Sequence, residues 1–172
     1  MIVRIGILTV SDRSARGERE DLGGPAVEAS AIAGWPTGDA VGRPQVLRRL
    51  VVPDDRAEIG KVLRAWSDSD DLDLVLTTGG TGFAPRDITP EATLDVVERL
   101  APGLAEAMRA ESLRSTPHAM LGRGVAGIRG RTLIVNLPGS PRGAVENLAV
   151  ILPVLPHAIA LVREDQGPAS AH

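Results

Sequence analysis

The chain has 172 residues, 43% of them hydrophobic and 24% charged, a composition typical of a folded globular domain. Its formal net charge of −3 offers no basic field for nucleic acid or an anionic membrane, so we expect neither partner. The absence of cysteine excludes disulfides, thiolate metal sites and cysteine nucleophiles. The chain shows neither a signal-peptide pattern nor an apolar run of the roughly 18 residues that span a membrane, so we expect a cytoplasmic protein.

Apolar runs and amphipathic patterns alternate along the first half of the chain. The run at residues 2–10 is β-branched and nearly continuous, which predicts a buried strand. The elements that we predict after it are, in chain order, a loop at 11–24, a helix at 25–33, a loop at 34–44, an edge strand at 46–52, a helix to 67 that Asp54 or Asp55 caps, and a strand at 72–76.

The second half continues this alternation. Thr89, Pro90 and Glu91 predict a helix start, as cap, first-turn proline and dipole-matched acid. The later elements are a break at Pro102 and Gly103, a further helix to 113, strands at 125–128 and 132–137, and a last helix from Ser140 towards 162 that Pro153 and Pro156 interrupt. We predict one α/β domain at residues 1–163, a three-layer sandwich with a mostly parallel central sheet and helices on both faces, and a disordered tail at 164–172.

Polar residues and glycines follow four of the predicted strands. In open α/β sheets, ligands bind outside the carboxyl ends of the strands. Loops are polar for solubility alone, but four such ends on one rim favour a ligand site. The four segments are Ser11-Asp12-Arg13, Pro53-Asp54-Asp55, the run TTGGTGFAPRD at 77–87, and Asn136-Leu137-Pro138-Gly139-Ser140.

The third of these segments contains a glycine loop, Gly79-Gly80-Thr81-Gly82. Glycine adopts positive φ without strain, so successive amides can turn inward and form a nest for an anion. The loop is not a Walker A motif, and it lacks the GxGxxG spacing of dinucleotide sites. Taken alone, it also fits a tight turn between a strand and a helix.

Two aspartates lie on the same predicted rim. Capping of a helix explains Asp54 on spacing alone. Asp87 is different, because Thr89 and Pro90 already start the helix behind it, so we interpret Asp87 as a Mg²⁺ ligand beside a phosphate-binding loop. Ser140, preceded by Gly139, predicts a further anion site at a helix start. Such a rim suits phosphoryl or nucleotidyl transfer, which depends on positioning and charge neutralisation rather than on a protein nucleophile.

Five sequence blocks together resemble one known family. The blocks are "SDR" after the first strand, "PDD" after the second, "TTGGTGFAPRDITPEAT", "PGLAEAMRAESL" and "TPHAMLGRGVAGIRGRTLIVNLPGSP". The resemblance covers residues 2–162 and is to the molybdopterin adenylyltransferase family of molybdenum-cofactor biosynthesis, which includes the G domain of gephyrin. The GGTG block followed by RD and TPEAT, combined with NLPG, is far more specific than a glycine motif alone.

The resemblance implies an enzyme that transfers AMP from ATP to the terminal phosphate of molybdopterin with Mg²⁺ and releases pyrophosphate. It also implies a homotrimer and a molybdenum-inserting enzyme that uses the product. The residues that it assigns are Asp54 and Asp87 to catalysis and metal binding, and Ser11, Asp12, Arg13, Gly79, Gly80, Thr81, Gly82, Asn136, Pro138, Gly139 and Ser140 to substrate binding.

Two other functions remain open on the sequence. A trimeric molybdopterin-binding carrier or scaffold would keep the same loops without chemistry. The related domain of molybdenum-inserting proteins would share the fold, although it carries a variant glycine loop within a longer chain. A kinase or phosphatase is disfavoured, because neither a Walker lysine nor a nucleophile is evident.

Overall fold

The computed structural model describes residues 2–38 and 42–164, so part of the predicted loop at 34–44 and nearly all of the predicted tail lie outside the described residues. The elements are, in chain order, β1 (Ile2–Val10), α1 (Asp12–Ala15), α2 (Gly23–Gly34), β2 (Arg43–Val52), α3 (Arg56–Asp68), β3 (Leu74–Thr78), α4 (Thr89–Leu94), β4 (Arg99–Leu100), α5 (Pro102–Leu113), a 3-10 helix (Pro117–Leu121), β5 (Ala126–Arg129), β6 (Thr132–Leu137), α6 (Pro141–Ile151) and α7 (Leu155–Arg163).

The strands form one six-stranded sheet in the order β2-β1-β3-β6-β5-β4. The pairings from β2 through β6 are parallel, whereas β5 and β4 join the sheet antiparallel. The predicted mostly parallel sheet and the edge position of β2 are therefore confirmed. Because four neighbouring strands run in one direction, their carboxyl ends meet at one edge of the sheet.

Side chains of the central strands alternate between two cores. In β1, Val3, Ile5 and Ile7 face a core that includes residues of α2, α5, α6 and α7. Leu8 and Val10 face the other core, with α3 and α4. Because alternate side chains of these strands point to opposite faces and both faces are buried, the strands read as continuous apolar runs in the sequence. The predicted three layers are confirmed.

Several element boundaries differ from the predicted ones. β3 spans Leu74–Thr78 rather than 72–76, because Thr77 and Thr78 still pair with β1 and β6. The predicted helix from Thr89 to the Pro102 break ends at Leu94, and the short strand β4 follows it. The strand β2 and the helix α2 each begin earlier than predicted.

The predicted last helix is two helices. The axes of α6 and α7 differ by 66°, with Pro153 in the break and Pro156 in the first turn of α7. Proline lacks the amide hydrogen that would continue a helix, which explains the break. No single helix among the described residues is long and apolar enough to cross a membrane, and α6 and α7 reach that length only when they are taken together.

Asp73 joins three elements at the amino edge of the sheet, opposite the predicted site. Its carboxylate is buried, with 1% of the residue exposed. It accepts hydrogen bonds from the backbone N–H of Arg4 (2.7 Å), from the Arg4 guanidinium and from Nε of Arg163 (2.6 Å). Burial alone would raise the pKa of Asp73, but the two arginines outweigh burial and lower that pKa.

We predict that Asp73→Asn lowers the free energy of unfolding at pH 7 by about 3 kcal/mol, because it leaves two arginines without their buried partner. The folded-state pKa of Asp73 is depressed, so its ionised form stabilises the protein above the unfolded-state pKa of about 3.9. That contribution is lost as the pH falls from there through the folded-state pKa. Chemical denaturation over this acid range should therefore show that the free energy of unfolding depends less on pH in the variant than in the wild type.

The matched control is Asp68→Asn, which removes the exposed partner of Arg129 at the same edge. We expect its stability to stay close to that of the wild type, because exposed ion pairs contribute little. Equal losses in the two variants would contradict the role given to Asp73.

Candidate functional site

The loops that follow β1 and β2 are joined by reciprocal hydrogen bonds. The N–H of Asp12 donates to Oδ2 of Asp54 (2.9 Å), and the N–H of Asp54 donates to Oδ1 of Asp12 (3.0 Å). The N–H of Ser11 also donates to the carbonyl of Val52 (2.9 Å). The structure therefore brings together three of the residues that the sequence predicts for the site.

The carboxylate of Asp54 is not the cap of α3. That role belongs to Asp55, whose Oδ1 accepts the N–H of Glu58 at 2.9 Å. Oδ1 of Asp54 instead lies 3.1 Å from the point where a Cβ on Gly80 would be. Asp54 thus faces the glycine loop, and the capping alternative that its spacing allowed is wrong.

The glycine loop begins with two residues in the left-handed region. The φ angles of Gly79 and Gly80 are +104° and +67°, in the region that glycine adopts without strain, whereas Gly82 does not have a positive φ. A Cβ on Gly79 would lie 3.2 Å from the carbonyl carbon of Val10, at the end of β1. A Cβ on Gly139, after β6, would lie 3.3 Å from the Cα of Gly79. The backbones at the ends of β1, β3 and β6 therefore meet at this point. A side chain at position 79 would push these strand ends apart.

Thr89 holds the glycine loop through two hydrogen bonds. Its predicted role as the cap of α4 is wrong. The cap position of α4 is Ile88, and Thr89 is the first residue of the helix. The Thr89 hydroxyl, which is fully buried, donates to the carbonyl of Gly79 (2.9 Å). The backbone N–H of Thr89 donates to the carbonyl of Gly80 (3.0 Å).

Asp87 closes a turn at the end of the glycine-rich segment. Its Oδ2 accepts the N–H of Ala84 (3.0 Å) and lies 2.8 Å from the point where a Cβ on Gly82 would be. No side chain caps α4, so the prediction that Asp87 does not serve as its cap is confirmed. The carboxylate keeps further lone pairs for a ligand.

Two clefts border the glycine loop. The first cleft, of about 400 Å³, is bordered by the residues after β1, by the start of α2 and by Asp54. The second cleft, of about 510 Å³, is bordered by α5, the 3-10 helix and α6. The residues common to both are Gly80, Asp87, Gly139 and Ser140. Four predicted site residues therefore form a wall between two cavities, and we call them the shared wall.

The other predicted residues divide between the two clefts and their surroundings. Ser11 and Gly79 line the first cleft, whereas Thr81, Gly82 and Pro138 line the second. Arg13 is exposed on α1 and lines neither cleft.

Asn136 lies beneath the loops and is 2% exposed. Its amide nitrogen donates to the hydroxyls of Thr77 (3.0 Å) and Thr93 (2.9 Å), and its Oδ1 accepts the N–H of Val125 (3.2 Å). In this structure Asn136 holds the ends of β3 and β6 in place. Its contact with substrate stays a prediction.

Several residues of the first cleft are not among those predicted from the sequence. Asp21 accepts hydrogen bonds from the hydroxyl of Thr9 (2.9 Å) and from the N–H of Gly24 (3.0 Å) at the start of α2. The signal was present, since an acid followed by Gly23 and Gly24 precedes the predicted helix. The second cleft offers no such local signal, because its polar residues come together only through packing of separate helices, and they include Arg109, Ser112, Ser115, Thr116, His118 and Asn147.

The acids of the site interact electrostatically. Arg86 donates two hydrogen bonds to Asp12 (2.6 and 2.8 Å), and this pairing lowers the pKa of Asp12. Burial raises the pKa of Asp54, and the negative charges of Asp12 and Asp87 raise it further. A cation near Asp54 and Asp87 would relieve this repulsion.

The donor set fits a divalent cation that also binds substrate. Within residues 2–38 and 42–164, no group of three or more acidic, histidine or cysteine side chains could hold a metal ion. Asp54 and Asp87 both line the first cleft, as does Gly80. Mg²⁺ is commonly held by one or two carboxylates with substrate phosphates and water, which matches a two-carboxylate site.

Comparison with known protein families matches residues 6–157 to the model described as "probable molybdopterin binding domain". The chain belongs to this family. A relative named molybdopterin adenylyltransferase, from Helicobacter pylori strain J99, is 41% identical over 160 residues, which are 93% of this chain and 88% of that protein. The crystal structure of the molybdopterin biosynthesis enzyme MoaB from Thermus thermophilus superimposes with a TM-score of 0.83 at 56% identity, covering 93% of this chain and 96% of that one.

Some relatives are much longer than this chain. The protein named gephyrin from Dictyostelium discoideum is 43% identical over 160 residues, which are 92% of this chain but 22% of that protein. The chain spans about a quarter of the length of such relatives. The family resemblance predicted from the sequence motifs, including the relation to gephyrin, is confirmed.

We predict that Asp54→Asn raises the melting temperature at pH 7. Because the pKa of Asp54 is raised, the folded state binds its proton more tightly than the unfolded state, so the ionised carboxylate destabilises the fold above that pKa. The neutral amide removes this cost. Calorimetry should show the difference shrinking as the pH falls towards 4, and a variant less stable than the wild type at pH 7 would contradict the account.

Proposed function

We propose that this protein is a molybdopterin adenylyltransferase, which transfers AMP from ATP to the terminal phosphate of molybdopterin and releases pyrophosphate. The observation that carries the proposal is the shared wall, where backbone amides and the carboxylate of Asp87 lie between two clefts. A reaction that joins two phosphate-bearing substrates needs two cavities that meet at one point. The names of the relatives agree with this reaction.

The backbone around the shared wall suits phosphate groups. The φ angles of Gly79 and Gly80 are positive, and the lack of a side chain at both positions lets a phosphate approach the backbone of the loop closely. The helix α6 starts just after its cap Ser140, and the partial positive charge of the helix start favours anions there. These groups would orient the triphosphate of ATP and the phosphate of molybdopterin without a change in protonation.

The proposed step is an in-line displacement at phosphorus. An oxygen of the molybdopterin phosphate forms a bond to the α-phosphorus of ATP, while the bond from that phosphorus to the bridging oxygen breaks. Pyrophosphate leaves with the electron pair of the broken bond. The protein contributes mainly by holding the two reactants in line across the shared wall.

Asp87 and Asp54 would hold Mg²⁺ on the triphosphate. When bound, the ion would neutralise the negative charge that develops on the departing pyrophosphate. Asp12 supports this pair, because its carboxylate binds the N–H of Asp54 and the guanidinium of Arg86. Arg86 thereby keeps a positive charge near Asp12 and Asp54.

We further propose that the chain acts as a cytoplasmic homotrimer and passes its product to a molybdenum-inserting enzyme, as the family resemblance implies. Exposed apolar side chains, among them Phe83, Leu100 and Met120, offer surface that association would cover. Sedimentation equilibrium should then give three times the 18.0 kDa mass of one chain, and a monomer at micromolar concentration would contradict the trimer.

The decisive assay follows pyrophosphate release and adenylylated molybdopterin with purified protein, Mg²⁺, ATP and molybdopterin. We predict that Asp87→Asn lowers kcat by about 100-fold or more, as is typical when a group that stabilises transition-state charge is lost. Asp54→Asn should also lower the rate, despite its higher melting temperature.

The matched control is Asp55→Ala, which changes the neighbouring aspartate. We expect it to lose about 1 kcal/mol of stability, because Asp55 caps α3, and to keep the rate of the wild type. Unchanged turnover in Asp87→Asn would overturn the assigned role. Tight binding of molybdopterin by the wild type without any pyrophosphate release would indicate a carrier in place of an enzyme.

A further inference from the structure

Arg123 makes contacts that none of the roles described so far explains. It lies in the segment between the 3-10 helix and β5, and its side chain is 33% exposed. Its backbone N–H donates to the carbonyl of Thr81 in the glycine loop (2.9 Å). Thus the main chain at position 123 already holds one end of that loop.

The guanidinium of Arg123 binds both ends of the turn that carries Asp87. Its Nε donates to the carbonyl of Gly82 (2.7 Å), and its Nη2 donates to the carbonyl of Asp87 (2.8 Å). Its Nη1 forms an ion pair with Glu91, in the first turn of α4. A planar fork of donors can make these contacts at once, which a lysine ammonium cannot.

Besides the contacts of Arg123, the restraints on this turn include two hydrogen bonds from Arg86 to Asp12 (2.6 and 2.8 Å) and one from the N–H of Asp87 to the carbonyl of Ala84 (2.9 Å). Residues 83–86 are exposed, and the side chain of Phe83 has 66% of its surface in solvent, so apolar burial contributes little to its order. The carboxylate of Asp87 accepts a hydrogen bond from the N–H of Ala84, which belongs to the same turn. The direction of this carboxylate therefore depends on what holds the turn as a whole.

We propose that Arg123, held by Glu91, is the positioning residue that sets the carboxylate of Asp87 against the first cleft. Its guanidinium fixes the carbonyls of Gly82 and Asp87, and so fixes the separation of the two ends of the turn. This inference rests on the proposed function, in which Asp87 binds the metal, but it concerns contacts that exist before any substrate binds.

The test compares Arg123→Gln and Arg123→Lys with the wild type and with the control Arg129→Gln. Arg129 also pairs with a carboxylate, Asp68 (2.8 and 2.9 Å), and donates to a carbonyl, that of Val96 (3.1 Å). It lies at the opposite edge of the sheet, where it pairs with Thr132 of β6. The control therefore removes the same kinds of contact away from the site.

The main readout is Mn²⁺ affinity, measured by electron paramagnetic resonance with a non-cleavable α,β-methylene analogue of ATP. We expect Arg123→Gln to weaken Mn²⁺ binding by about 10- to 100-fold, as is typical when a group that orients a metal ligand is removed. Amide hydrogen exchange at residues 81–87 should become faster. In the adenylylation assay, kcat should fall by more than KM for ATP rises.

Arg123→Lys distinguishes the positioning role of the side chain from the effect of its charge. It also keeps the proposal testable if Arg123→Gln fails to fold. Lysine keeps the charge that faces Glu91 but cannot bind both carbonyls. We expect it to fold as the wild type does and to keep most of the Mn²⁺ defect. The Arg129→Gln control should bind Mn²⁺ with wild-type affinity.

The outcomes distinguish this inference from the proposed function. Suppose that the wild type transfers AMP and that both Arg123 variants bind Mn²⁺ with wild-type affinity. The positioning role of Arg123 is then overturned, whereas the proposed function stands. If the wild type binds Mn²⁺ with the analogue and the Arg123 variants lose that binding, but no AMP is transferred, positioning stands and the function fails. An equal loss in Arg129→Gln, or restored affinity in Arg123→Lys, would also overturn positioning.

Discussion

The close approach of Gly79 to the carbonyl group of Val10 is the contact on which the arrangement of the site depends. A Cβ at position 79 would lie 3.2 Å from that carbonyl carbon, and a φ of +104° strains any other residue. β1 and β3 can therefore end side by side, with Gly139 packed against Gly79 from the β6 side. Parallel pairing aligns the strands, and this contact brings their loops together into a wall with a cleft on each side.

The charges of two buried or partly buried aspartates, one at each edge of the sheet, have opposite effects on stability. At the amino edge, two arginines neutralise Asp73, and its lowered pKa makes its ionised form a source of stability. At the carboxyl edge, Asp54 is partly buried beside other acids, and its raised pKa makes its ionised form a source of instability. An uncompensated charge of this kind is a common feature of sites that bind a cation or a substrate, where function is kept at the expense of stability.

Much of the fold and part of the site could be predicted from the sequence, because both depend on local patterns. Continuous apolar strands indicated a parallel sheet, and glycines with Asp87 at a strand end indicated the site. The cap of α3 could not be assigned, since Asp54 and Asp55 satisfy the same pattern and only the turn geometry separates them. The sequence pattern also predicts Thr89 as a helix cap. The prediction is wrong because the Thr89 hydroxyl donates to the carbonyl of Gly79, a contact that arises from packing and has no local sequence signal. The second cleft and Arg123 depend on segments distant in sequence, which no local pattern connects.

The central claim is that Asp54 and Asp87 hold a divalent cation against the shared wall. The most direct measurement is a crystal structure with Mn²⁺ and α,β-methylene-ATP, in which anomalous scattering locates the ion. The account predicts a peak about 2.2 Å from an oxygen of Asp87, close to Asp54, with the nucleotide phosphates against Gly80 and Ser140. A triphosphate bound elsewhere, or a metal ion that contacts neither aspartate, would contradict it.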